Sequence, residues 1–348
     1  MESGSAFPSL SPLALYDPFT GMQFSQKHCF LCGTPTVPGQ DTVPVFAEWL
    51  MARYQLHERQ IKLLDMSIVR YQDLQIACCP QCRTRHVEPL EARVQQAAAQ
   101  GLAGLRQLDE PTLFLWLGKM FYGVLVTELL NELMPLARPQ YPLAENAQLF
   151  RRFQAFFQPF QGLRVPMEYD DFVPGSVFLL EVDQREDALP FFYDDDLSTL
   201  TFTIKLDETM LVACLVDNGI IRQAMRRVYD DAQRPLHPVQ VAEFKARVYY
   251  GAYLLNVVPD YYPRAVHPGD TTLVMDTLID DVTGAVFNPW ENSGYAQSLL
   301  EMWKPWQIPL AQILADPAQP LSLLYDADGQ PRHLEQFQGP QAEEGAES

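Results

Sequence analysis

The chain has 348 residues, of which 47% are hydrophobic and 20% charged, which excludes wholesale disorder and predicts two or three domains. Its net charge of −19 is unevenly distributed along the chain. Residues 1–105 hold eight Lys/Arg and nine Asp/Glu, a net charge of −1, and the remaining residues hold 17 Lys/Arg and 35 Asp/Glu, a net charge of −18. The second part should therefore repel phosphate backbones. Because residues 1–18 contain no basic residue and no apolar run of signal-peptide length, we expect a cytoplasmic protein.

The first part of the chain is predicted to hold an arm and a small module. Residues 1–25 are rich in Ser, Pro and Gly, which favours a flexible N-terminal arm. Residues 26–105 form the predicted metal-binding module. Within it, the spacing of apolar residues predicts a helix over residues 45–54, and the LQIA segment at residues 74–77 predicts a short strand.

A helix is also predicted from Cys82 to Gln100. Pro89 should kink or split this segment, because proline lacks the amide hydrogen that the helix requires. Gly101 is a plausible stop signal at its end.

Residues 106–334 are predicted to form an acidic α+β domain with a small antiparallel sheet. Its helices are predicted over residues 111–134, 147–160, 220–229, 239–256 and 294–302. Its strands are predicted over residues 176–182, 199–206, 210–216 and 271–275. The apolar stretch 113–127 contains Lys119 and is shorter than a membrane span requires, so we expect a buried helix and no membrane partner. The acidic tail, residues 335–348, is predicted to be disordered.

Five of the six cysteines fall within residues 29–82, which indicates metal binding rather than a disulfide framework. Cys29 and Cys32 form one Cys-x-x-Cys pair, and Cys79 and Cys82 form a second. Two such pairs supply the four thiolates of a tetrahedral Zn²⁺ site, and a closed shell of this kind is structural rather than catalytic. Cys78 is a competing ligand, although only Cys79 keeps the two-residue spacing to Cys82.

The module resembles the treble-clef form of HNH endonucleases, in particular bacterial members with two flanking Cys-x-x-Cys pairs. The resemblance covers residues 27–94 and rests on both cysteine pairs, on the apolar segment that ends in Trp49-Leu50 and on Leu90-Glu91. It implies a treble-clef fold around the zinc.

The residues that carry the chemistry of that family are missing from this chain. The resemblance places Val43 and Pro44 where Glu and the general-base His are expected, and Arg83 where Asn is expected. Proline can neither deprotonate water nor hold a catalytic cation. The module is therefore expected to be degenerate and non-catalytic.

A nuclease with rearranged catalytic groups remains the alternative. Asp41 and His86 are the candidate replacements, and a divalent cation such as Mg²⁺ would be required only in that case. Nucleic acid would then contact the N-terminal module, which is near neutral. The leading hypothesis is a zinc-stabilised protein whose acidic region faces an unidentified protein partner.

Overall fold

The fold belongs to the α+β class, as predicted, with helices, antiparallel and mixed sheets and a four-cysteine cluster near the N-terminus. The computed structural model describes residues 13–19, 25–64, 66–132, 146–183, 189–279 and 284–334. Most of the predicted arm at residues 1–25 and all of the predicted tail at residues 335–348 lie outside the described residues.

The chain divides into two compact units. The first comprises Met1–Gly175 and Val258–Asp281, and the second comprises Ser176–Val257 and Val282–Ser348. The boundary proposed after residue 105 lies inside the first unit.

The first unit combines short strands with long helices. Its helices are α1 (Glu48–Tyr54), α2 (Pro80–Cys82), α3 (Glu88–Ala98), α4 (Gly101–Leu105), α5 (Glu110–Glu132) and α6 (Ala147–Phe160). Its strands are β1 (Thr42–Pro44), β2 (Gln60–Lys62), β3 (Ile68–Arg70), β4 (Gln75–Ala77), β5 (Met167–Tyr169), β10 (Asp260–Pro263) and β11 (Leu273–Leu278). They form the pairs β1-β4 and β2-β3 and a mixed sheet in the order β10-β11-β5.

Helix α5 is the centre of the first unit. Its sequence is apolar on nearly all sides, so it can be stable only where most of its surface is covered. Contrary to our expectation, the stretch Glu110–Leu130 is long and apolar enough to cross a membrane. However, 83% of its most apolar part is buried inside the structure. The prediction of a buried helix is confirmed.

Aromatic side chains of α6 pack against α5. Phe156 and Phe160 are fully buried, and their rings lie 5.4 Å apart in a stacked arrangement.

Gly123 of α5 allows a close approach, because a Cβ at this position would lie 2.5 Å from a methyl group of Val45. The segment that leads into α1 is thereby held directly against α5.

The second unit is built on a four-stranded antiparallel sheet in the order β6-β9-β8-β7. Its strands are β6 (Ser176–Glu181), β7 (Phe191–Asp196), β8 (Thr201–Leu206) and β9 (Thr209–Cys214). Its helices are α7 (Ile220–Ala224), α8 (Arg226–Asp231), α9 (Pro238–Leu254), α10 (Asn292–Met302) and α11 (Leu310–Ile313).

Helix α9 packs on one face of this sheet. Phe178, Val212 and Phe244 meet there in one buried cluster. The fully buried carboxylate of Glu243, also on α9, accepts hydrogen bonds from the backbone N–H groups of Leu323 and Leu324. This carboxylate therefore anchors a long C-terminal segment that contains little regular structure of its own.

Candidate metal centre

The first cysteine pair lies in a tight turn that is bonded to strand β4. The amide of Gly33 donates to Cys29 O (2.8 Å), and the amide of Phe30 donates to Ala77 O (2.9 Å). Gly33 has φ +69°, and a Cβ there would lie 2.6 Å from the ring of Tyr16. Only glycine satisfies both conditions without strain, which explains the glycine directly after the second cysteine.

The second cysteine pair begins the helical segment that follows β4. Cys79 is the N-cap of α2, and its Sγ accepts a hydrogen bond from the Cys82 amide at 3.4 Å. Residues Arg83–Val87 form a π-helical turn before α3 begins. The helix predicted from Cys82 to Gln100 is therefore split, and Pro89 lies in the first turn of α3, where its missing amide hydrogen removes no helical hydrogen bond.

The two turns bring four thiols to one point. The Sγ atoms of Cys29, Cys32, Cys79 and Cys82 all lie within 4.8 Å of one another. Cys32 Sγ and Cys79 Sγ are 3.8 Å apart. A tetrahedral shell with Zn–S bonds of about 2.3 Å has S–S edges of about 3.8 Å, so four thiols this close together can hold a single ion.

The four thiols are hydrogen-bonded to one another. Hydrogen bonding to Cys29 holds the pKa of Cys32 far below its ordinary value, and the same contact raises the pKa of Cys29 to about 12. Hydrogen bonding to Cys29 also raises the pKa values of Cys79 and Cys82. Because zinc binds thiolates, a cation bound here would release protons from these thiols.

Cys78 lies outside the tetrad, as its spacing to Cys82 suggested. Its thiol is fully buried and lies 3.7 Å from Cys79 O, and its amide donates to Asp41 O at 2.9 Å. Cys79, the neighbouring residue, takes part in the four-thiol cluster instead.

The first cysteine turn is held against the core of the first unit. The ring of Phe30 stacks on Tyr122 of α5 with centroids 5.5 Å apart. The guanidinium of Arg164 donates to the backbone oxygens of Leu31 (2.9 Å) and Ala14. The turn is therefore packed against α5 and hydrogen-bonded to Arg164, which follows α6.

A cleft of about 400 Å³ lies beside the cysteine module, and its walls include Val43, Pro44 and Arg83. These are the three positions at which the sequence resemblance places catalytic groups. The cleft is also lined by Trp49, Glu91 and Lys119.

A buried ion pair lies at this cleft. Lys119 Nζ is 2.5 Å from Glu91 Oε1 and donates a second hydrogen bond to Pro44 O at 3.2 Å. The indole N–H groups of Trp49 and Trp116 both donate to Glu91 Oε2, at 3.1 and 3.0 Å. Sequence reasoning missed this cluster, although a signal existed: Lys119 is the one charged residue in the apolar stretch 113–127 and needs a buried partner there.

Asp41 and His86, the candidate catalytic replacements, are not among the described residues that line this cleft. The carboxylate of Asp41 accepts a hydrogen bond from the Val37 amide at 2.9 Å, which closes a local turn. Burial lowers the pKa of His86, and the neighbouring guanidinium groups of Arg164 and Arg85 lower it further.

Acidic residues occur in short runs within residues 106–334, and some of their carboxylates form ion pairs. Asp194 pairs with Lys245, and Asp170 pairs with Arg264. Asp280 and Asp281 lie outside the described residues. Within the described part of the chain, the four cysteines are the one group of His, Cys, Asp or Glu side chains arranged to hold a metal ion.

Comparisons with known proteins give no further guide to the site. No protein-family model, curated protein or solved structure matches this chain.

Proposed function

We propose that this chain is a cytoplasmic, zinc-stabilised protein that works through a protein partner and has no nuclease activity. The observation that carries the proposal is the cluster of four cysteine thiols, all within 4.8 Å of one another, three of them on buried residues and Cys32 half-buried. Four thiolates around one ion leave no open coordination position, so the metal would stabilise the fold and would not activate water.

Zinc is the ion that this donor set favours. Thiolates select soft or borderline metals, and a tetrahedral arrangement of four sulfurs is typical of Zn²⁺ or of iron–sulfur chemistry. Zn²⁺ bound here would tie the turn at Cys29–Cys32 to the start of α2, and these two elements are far apart in sequence. Its binding energy would therefore contribute directly to folding of the first unit.

The module is best explained as an HNH-like scaffold whose catalytic centre has been lost. At the positions where the resemblance expects a general base and its neighbours, the cleft presents Val43, Pro44 and Arg83. The carboxylate of Glu91 is held by one ammonium and two indole donors, so it is not available to act as a base or a metal ligand. This arrangement stabilises the cleft and offers no proton acceptor for an attacking water.

The charge distribution supports a protein partner. Outside residues 1–105 the chain carries −18, which disfavours nucleic acid and would attract a partner with a basic surface. Contact with nucleic acid, if it occurred, would be confined to the near-neutral N-terminal module.

A nuclease assay tests the proposal against the alternative of rearranged catalytic residues. The purified protein would be incubated with single- and double-stranded DNA and with RNA, in Mg²⁺ and in Mn²⁺. An Asp41→Ala, His86→Ala double variant would serve as the matched control. We expect no cleavage by either protein and no salt-sensitive binding to nucleic acid. Cleavage by the parent that disappears in the variant would establish the nuclease instead.

A further inference from the structure

The second unit contains a cleft of about 420 Å³ that plays no part in the proposed function. Its walls combine two arginines with aromatic rings, and its principal lining residues are Arg227, Arg247, Trp290, Tyr295, Pro320 and Tyr325. The volume is within the range of small-molecule sites, which lies at about 300–1,000 Å³.

The guanidinium of Arg247 is fixed in place. Its Nε and Nη2 both donate to Glu243 Oε1, at 3.2 and 2.8 Å. Glu243 is itself fully buried and is held by the 322–324 segment. The guanidinium also lies over two rings, 5.3 Å from the centroid of Tyr295 and 5.9 Å from that of Tyr325. A pre-positioned arginine of this kind binds an anionic group with little loss of side-chain entropy.

A second guanidinium group, that of Arg227, lies at the rim of the cleft. Arg227 is exposed, its Nη2 donates to Gly329 O at 3.4 Å, and its Nε lies 3.8 Å from the carboxylate of Asp231. Asp326 also lines the cleft, but one of its carboxylate oxygens accepts the amides of Asp328 and Gln330 within a turn. Among the residues that the structure describes, the charged donors that remain for a ligand at this cleft are Arg227 and the N–H groups of Arg247 that do not bond to Glu243.

The aromatic wall offers a flat surface. Trp290 is 46% exposed, and its ring meets Tyr295 at a centroid distance of 4.9 Å and Tyr250 edge-on at 4.7 Å. Tyr295 is only 4% exposed, and among the residues that the structure describes its hydroxyl has no hydrogen-bond partner. A buried hydroxyl without a partner is costly, and it is the kind of group that a bound ligand completes.

We propose that this cleft binds a small molecule in which one anionic group, a carboxylate or a phosphate, is attached to a planar ring. The anion would lie between Arg247 and Arg227, and the ring would pack against Trp290. The charge of −18 outside residues 1–105 disfavours a polyanion in this region, whereas two local guanidinium groups are enough for a single anionic group.

Calorimetric titration of the full-length protein tests the proposal with two probes. Adenosine 5′-monophosphate carries a phosphate on a ring compound, and indole-3-acetate carries a carboxylate. Adenosine, inorganic phosphate and acetate are the matching fragments. We expect at least one complete probe to bind about tenfold more tightly than each of its fragments, because the cleft contacts both parts. The probe that binds identifies the anion.

Four surface variants make the result specific to the cleft. Arg227→Gln and Trp290→Ala replace exposed side chains of the cleft and should each weaken binding of that probe about fivefold or more. Arg226→Gln and Tyr253→Ala replace exposed side chains outside the cleft lining and should leave binding unchanged. Absence of binding by both probes would overturn the proposal, and so would binding that the two cleft variants do not alter.

Discussion

The ammonium group of Lys119 on α5 forms a buried ion pair with the carboxylate of Glu91 on α3, with 2.5 Å between Nζ and Oε1. The two side chains are 1% and 11% exposed, so water screens them little. The pair links the long core helix to the helical segment that carries Cys82.

Removal of the cation from this pair should destabilise the protein strongly. In Lys119→Met the carboxylate of Glu91 stays buried without its counter-ion, and we expect the free energy of unfolding to fall by about 3–5 kcal/mol. In the double variant Lys119→Met, Glu91→Gln no charge remains, and the amide oxygen still accepts the two indole N–H groups. Urea unfolding should therefore show the double variant to be more stable than Lys119→Met alone, and equal or lower stability would contradict this account.

The contact between Gly123 and Val45 gives a second prediction. A Cβ in Gly123→Ala would lie 2.5 and 2.8 Å from the two methyl groups of Val45, and we expect a loss of about 1–3 kcal/mol by urea unfolding. Val45→Ala in the same chain removes those methyl groups and should recover part of the loss. Gly329→Ala is a poor control because of its positive φ, whereas Gly284→Ala meets no neighbour within 4 Å and should have little effect.

The short-range pattern of the sequence was enough to predict the four-thiol cluster. A Cys-x-x-Cys turn fixes two ligands locally, and the tetrahedral shell leaves few alternatives for pairing the two turns. Helix α6 was also predicted with its observed bounds, Ala147–Phe160, because Asn146 caps it and apolar residues repeat along one face.

Elements that depend on distant partners were harder to predict. Asp194, Asp195 and Asp196 form a run that is typical of a turn, yet all three lie on strand β7, where Lys245 of α9 forms an ion pair with Asp194. Strand β5 is three residues long and pairs in parallel with β11, more than a hundred residues away. The helix predicted over residues 220–229 instead divides into α7 and α8 at Met225.

The buried carboxyl group of Asp217 predicts a specific pH dependence of stability. Burial raises its pKa to about 6, although hydrogen bonds from the Ser176 hydroxyl and the Ile221 amide oppose the shift. The folded state therefore holds the proton of Asp217 more tightly than the unfolded state does. The resulting contribution to the free energy of unfolding is complete below about pH 4 and is lost as the pH rises through about 6. Across this pH range the contribution of Asp217 to the free energy of unfolding changes by about 3 kcal/mol.

Urea unfolding between pH 4 and pH 7 measures this contribution. Asp217→Asn cannot titrate, so the stability of the parent relative to this variant should fall as the pH rises across the range. Asp230→Asn replaces an exposed carboxylate of α8 and should follow the parent. Parallel curves for the parent and Asp217→Asn would show that the group does not titrate there.

We propose that Cys29, Cys32, Cys79 and Cys82 together hold one structural zinc ion. Native mass spectrometry with elemental analysis, applied to the parent, Cys79→Ser and Cys78→Ser, tests it most directly. We expect one zinc per chain in the parent and in Cys78→Ser, and loss of zinc with a lower melting temperature in Cys79→Ser. A parent that binds no zinc, or zinc that is lost in Cys78→Ser and kept in Cys79→Ser, would contradict it.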